Sequence, residues 1–154
     1  MTVRENISIE LKESMKRKDV NVVNTLRLAI AAIKEKDIVA KGNGNPLGIS
    51  DKEVISLLQT MIKQRNASIE MYIKGKREDL AKKEENEIQI ISSFLPDQLS
   101  AKEIDDIIMS TIKSSDAKSI KDMGKVINSI KNSYNGRMDF GAVSKVIKEK
   151  LIKL

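Results

Sequence analysis

Histidine, cysteine and tryptophan are all missing from this chain of 154 residues. Without the first two, the commonest general base, the thiol nucleophile and most transition-metal ligands are gone at once. Serines are plentiful, but a hydrolase triad would then need a lysine base in a buried pocket, and no motif announces one. No catalytic residue, metal ligand or cofactor is assigned. Aromatic residues number two Phe and two Tyr, so the core must be aliphatic, and stacking platforms for single-stranded nucleic acid are scarce. No run approaches the roughly 18 apolar residues of a membrane span. The opening MTVRENISIELKES lacks the apolar centre of a signal peptide, so the expected location is the cytoplasm, away from any membrane.

What is present is ordinary for a globular protein: 40% hydrophobic and 32% charged residues, enough for one domain or two small ones. The net charge is +6, carried by 22 Lys and 6 Arg scattered along the chain. Such a charge invites a nucleic-acid partner. It equally fits a solvated surface in a chain rich in Lys, Ile and Asn through coding composition.

Helix punctuation is legible because one device recurs. Thr2 with Glu5, Ser50 with Glu53 and Ser100 with Glu103 each spell a capping box, in which two orphan backbone N–H groups are satisfied reciprocally. Ile49 and Leu99 precede two of these caps, placed to staple onto Val54 and Ile104. The apolar spacing predicts seven helices and no strand. The first carries Val3, Ile7, Leu11 and Met15; the second Val22, Leu26, Ile30 and Ile33, up to the loop KGNGNPLG at 41–48. A long third helix from Asp51 and a fourth that runs to Pro96 follow. After FLPDQLS at 94–100 come three shorter helices, the last with Val143, Val146, Ile147, Leu151 and Leu154 inward. The expected fold is all-α: a four-helix N-terminal bundle over 1–95 and a small three-helix C-terminal domain over 96–154.

Four polar stretches are candidates for chemistry. KKEENE at 82–87 supplies too few convergent oxygens from one helix face for a hard cation. MGKV at 123–126 fails the phosphate-loop pattern, with Val126 where a hydroxyl is required. The stretch from Met61 to Ile88 places Arg65 near the apolar stripe and Arg77 in a helix hairpin, where both are candidates to pair with Glu84 or Glu87 and hold two helices in register. Near the other end, YNGRMDFG at 134–141 reads as a turn at Asn135 and Gly136 and a cap at Asp139, with Met138 and Val143 as its staple. Arg137 is left over, free for a phosphate or a partner's carboxylate. Residues 119–154 hold eight Lys or Arg against three acids. Lys121 and Lys125 fall on one face of the sixth helix, and Lys145 and Lys148 on one face of the seventh. These four, with Arg137, form the candidate nucleic-acid or partner surface.

LRLAIAAIK at 26–34, KQR at 63–65, GKREDL at 75–80, EIQIISSFLPDQLS at 87–100, KDMGKVI at 121–127 and NGRMD at 135–139 resemble, in order and spacing, the YqeY family. That family comprises stand-alone relatives of the tail domain of GatB, a subunit of the glutamine-dependent tRNA amidotransferase. The resemblance implies a two-part helical fold, a C-terminal domain similar to the GatB tail, and an association with tRNA amidation. The expectation is therefore a binding module for tRNA or another structured RNA, with an amidotransferase or a tRNA synthetase as protein partner. Two rivals stay open: an accessory subunit of a carbon–nitrogen ligase using glutamine as amido-N-donor, and a protein-interaction adaptor without RNA. The sequence does not fix the oligomeric state.

Overall fold

All three capping boxes form. Thr2, Ser50 and Ser100 each accept from the backbone N–H three residues on, while Glu5, Glu53 and Glu103 return the bond. They open α1 (Val3–Arg17), α3 (Asp51–Lys74) and α5 (Ala101–Ser114) in a computed structural model that describes residues 1–154. The other helices are α2 (Val20–Gly42), α4 (Glu78–Ser92), α6 (Met123–Tyr134) and α7 (Phe140–Ile152), with no strand. One element has no counterpart in the sequence reading, a 3-10 turn over Ile120–Asp122. By its contacts the chain divides into two compact units, Met1–Leu95 and Pro96–Leu154.

In the first unit, α1 turns into α2 within two residues. Lys18 takes the left-handed conformation, φ 58°, and the N–H of Asp19 reaches back to the carbonyl of Ser14 at 3.0 Å. Asp19 then accepts from the N–H of Val22 to start α2. Ile7, Leu26, Ile33, Val54, Leu58 and Ile91 meet in one core drawn from all four helices. Each such side chain contributes about 1.5–3 kcal/mol on burial. The expected stripe of α1 needs one correction: Met15 is 50% exposed, and Ser14 is buried in its stead. Steps of four residues drift by roughly 40° per step on a helix of 3.6 residues per turn, so by the fourth member the stripe has moved off the core. Ser14 tolerates burial because its hydroxyl donates to the carbonyl of Leu11 at 2.9 Å.

In the second unit, Ile108, Ile112, Val126, Ile130, Val143, Ile147 and Leu151 pack together, closed by Met138 from the turn before α7. Val146 and Leu154, expected inward, are exposed. Val143, Ile147 and Leu151 already complete the buried stripe at steps of four, leaving Val146 on its flank and Leu154 past the helix end.

Candidate functional site

The turn at 135–139 is the best-tied stretch of the second unit. Gly136 alone takes positive φ, 79°, and its carbonyl accepts from the Gln98 side chain at 2.6 Å. The carbonyl of Arg137 accepts from the N–H of Leu99 at 2.9 Å. Arg137, left over in the sequence, is used here: its Nε donates to the carbonyl of Asp97 at 3.0 Å, and its guanidinium lies 5.8 Å from the Tyr134 ring. The bonds to Asp97 and Leu99 strap the 97–99 segment to the turn, and the Tyr134 contact holds the guanidinium against the end of α6. Asp139 caps α7 by accepting from Gly141 at 2.9 Å and Ala142 at 3.5 Å.

The lysines divide by use. Lys125 donates to the carbonyl of Ser115 at 2.8 Å, supplying a cation to the last turn of α5, where the helix dipole favours one. Lys150 pairs with Asp105 at 2.9 Å, and Lys131 lies over Phe140 at 5.8 Å. Lys121 is in the 3-10 turn and not on α6, so it does not share a helix face with Lys125. The cause is Asp122, whose carboxylate accepts from the N–H groups of Lys118 and Ser119 at 2.9 and 3.3 Å and tightens the chain before α6 starts. Those bonds hold the Asp122 carboxyl below its ordinary range. Lys121, Lys145, Lys148 and Lys153 are exposed and make no ion pair.

Between α3 and α4, Arg65 is 14% exposed in its side chain and donates to Glu87 at 3.0 Å, with Glu84 at 3.9 Å and the Met61 carbonyl at 3.3 Å. Burial, and then the charge of Glu87, push the Glu84 carboxyl up. Arg77 does not join this group. It pairs with Asp79 at 3.1 Å in the exposed hairpin, since Glu84 lies about 10 Å further along α4 at 1.5 Å per residue.

The strongest polar centre of the first unit escaped the sequence reading. Asp37 accepts both terminal nitrogens of Arg4, at 2.7 and 2.9 Å, and the N–H of Ile49 at 2.9 Å. Arg4 also donates to the carbonyl of Ile49 at 3.1 Å. Gly48, φ 79°, passes so close to the Asp37 carboxylate that a Cβ there would collide with it. These bonds, the Arg4 side chain first, lower the Asp37 pKa to about 2. The available signal was an acid in register with Ile30 and Ile33, a position that demands a partner. Beside this centre, a cleft of about 470 Å³ between α1 and α2 has Ile7, Ile30 and Ile33 as its floor and Lys34, Ile38 and Lys41 along one wall. A second cleft, about 400 Å³, shares Arg4 and Ser8 with it and continues to Met1 and Ile9.

Residues 4–151 match the family model described as Yqey-like protein. Over 146 residues the chain is 30% identical to Altered inheritance of mitochondria protein 41, mitochondrial, of Pyrenophora tritici-repentis, which covers 93% of this chain and 77% of that protein. An uncharacterized protein of Schizosaccharomyces pombe is 35% identical over 91 residues, 59% of this chain and 70% of its own length. The protein of Lachancea thermotolerans named like the first is 36% identical over 90 residues, which is 58% of this chain and 46% of its own length. No helix of this chain is long and apolar enough to cross a membrane.

Proposed function

For a chain that belongs to the YqeY-like family, as this one does, we propose a helical binding module that contacts tRNA or another structured RNA through residues 96–154. In this reading, 1–95 is a four-helix bundle and 96–154 a separate three-helix domain similar to the GatB tail, working in the cytoplasm beside an amidotransferase or a tRNA synthetase. The chain supplies binding and positioning; the carbon–nitrogen bond chemistry belongs to the partner.

One observation carries the proposal. Along 119–154, Lys121, Lys145, Lys148 and Lys153 stand exposed without an ion pair, while Asp122 and Asp139 are turned onto backbone N–H groups. The 3-10 turn packs against α7 as well as α6, which brings the element carrying Lys121 to the helix that carries Lys145 and Lys148 and ends at Lys153. A surface of exposed ammonium groups with few aromatics suits phosphate contacts and not base stacking.

The test is fluorescence anisotropy of the full chain with labelled tRNA across a salt series. With three or four phosphates engaged, log affinity is expected to fall against log salt with a slope of about −3, using the duplex DNA coefficient. The triple variant Lys121→Glu, Lys145→Glu, Lys148→Glu should abolish binding and keep the helical circular dichroism. Absence of binding at low salt, or affinity indifferent to salt, would overturn the RNA reading in favour of the adaptor.

A further inference from the structure

The paired clefts on α1 and α2 are separate from the cationic surface and call for a different ligand chemistry. Ile7 and Ile33, 1% and 3% exposed, belong to the bundle core and close the bottom of the first cleft, where Ile30 is half-buried. Ile38, 70% exposed, and Met1, 86% exposed, project at the margins. Three of the charged groups in the lining, Arg4, Asp37 and Glu5, are already engaged. Arg4 is held by Asp37 through two hydrogen bonds, and Glu5 accepts from the N–H of Thr2. Lys34 and Lys41, both lining the cleft, are exposed and have no carboxylate within 4 Å, although the charge of Lys41 is felt at Asp37. A separation of seven residues puts them on one side of α2, about 10 Å apart along its axis.

The geometry points to this groove as the docking site for an acidic amphipathic helix of a partner protein. Its apolar side chains, at i, i+3 or i+4, and i+7, would enter over Ile30 and Ile33. Carboxylates two turns apart on its flank would meet Lys34 and Lys41, since a helix laid along α2 repeats the same rise. The second cleft, lined by residues 1–9 alone, shares Arg4 and Ser8 with the first. The first, between α1 and α2, suits a rod of side chains laid between two helices at an interaxial distance of about 8–10 Å. The inference is independent of RNA binding, which uses the other unit.

The probe is a fluorescein-labelled peptide of about 18 residues, with leucines on one face and glutamates seven apart on its flank. Its mate carries lysines in place of the glutamates. Titrated with the full chain, the acidic peptide should bind and the basic one should not. Amide shifts in the protein should cluster in 1–9 and 30–41. Lys34→Glu with Lys41→Glu should weaken the acidic peptide at least about tenfold and admit the basic one. Ile38→Asp should weaken it to a similar degree. All three positions are solvent-facing, so the helical circular dichroism should be retained; Lys63→Glu, exposed on α3, should leave peptide binding unchanged. Equal binding of the two peptides, no binding of the acidic one, or indifference to the paired reversal would each overturn the inference. So would binding to phosphatidylglycerol vesicles that Ile38→Asp abolishes while neither peptide binds, which would assign the patch to a membrane surface.

Discussion

Residues 1–95 are tied by side chains that face each other, whereas residues 96–154 are tied mainly by side chains that face the backbone. In the first unit Arg4 meets Asp37 and Arg65 meets Glu87, partners 33 and 22 residues apart and each at least partly withdrawn from water. In the second, Arg137 meets the carbonyl of Asp97, Lys125 that of Ser115, Asp122 the N–H of Lys118 and Asp139 that of Gly141. The exceptions, Lys150 with Asp105 and Lys118 with Asp116, have their carboxylates 54% and 84% exposed and are worth little. The two modes fail differently. Removing one member of a withdrawn ion pair strands the other charge, while removing a charge that caps a carbonyl leaves a group that water can reach.

That contrast is broken most directly at Asp37. Asp37→Ala leaves the Arg4 guanidinium without its counter-ion and the N–H of Ile49 without an acceptor. The expected loss is about 2–3 kcal/mol, toward the low side for a buried pair because the Arg4 side chain is 38% exposed. Urea unfolding of the full chain measures it. The pH dependence has a definite sign. A carboxyl lowered from 3.8 to about 2 contributes stability that is fully present above the ordinary value and is lost as pH falls toward about 2. Asp37→Ala should therefore narrow its gap from wild type across that window, and a gap that stays constant down to about pH 2 would assign the loss to packing instead.

The sequence discloses the local ties and conceals the distant ones. A capping box lies within four residues, so Thr2, Ser50 and Ser100 could be read directly. The Asp139 cap was equally legible, as was the αL turn at Gly136. Arg4 and Asp37 are 33 residues apart, and nothing in either's neighbourhood names the other, although an acid on the Ile30 and Ile33 stripe signals that some partner exists. Arg65, near an apolar stripe with acids one hairpin away, could be assigned candidates but not a choice between them. Arg137 defeated the reading for another reason: its partner is a backbone carbonyl, which every residue possesses. Lys121 falls on α6 by its spacing alone, because the S/T-x-x-D box at Ser119 and Asp122, which closes a 3-10 turn first, is weaker as a pattern than its Glu counterpart.

Two substitutions sharpen the comparison within the second unit, each at about 1 kcal/mol. Arg137→Ala should destabilise by that amount through loss of the bond to Asp97 and the contact with Tyr134. Asp139→Ala should cost a similar amount by uncapping α7. Arg137→Lys separates strap from charge: an ammonium keeps the charge but not the planar fork. If Arg137→Lys restores tRNA affinity and not the melting temperature, the cation serves binding as well as the turn. Recovery of stability without affinity would make the strap its whole role.

The smallest expected effect has the opposite sign. At the α3–α4 pair, Arg65 engages Glu87 closely and Glu84 only at 3.9 Å, so one cation serves two carboxylates in a half-buried place. Burial and the charge of Glu87 raise the Glu84 carboxyl above its ordinary 4.5. An acid raised in the fold favours the folded state fully below its unfolded value, and that advantage disappears as pH climbs through the folded value, leaving a net cost of ionisation at neutrality. Glu84→Gln keeps the shape and removes the charge. It should raise the unfolding midpoint at about pH 7 by the equivalent of roughly 0.5 kcal/mol, with the gain vanishing at about pH 4, where wild-type Glu84 is protonated. Glu87→Gln should destabilise at neutral pH, because it weakens the 3.0 Å bond that satisfies Arg65. Were both substitutions destabilising by equal amounts, Arg65 would be using both carboxylates. Arg65, Glu84 and Glu87 would then form one network that fails wherever it is cut.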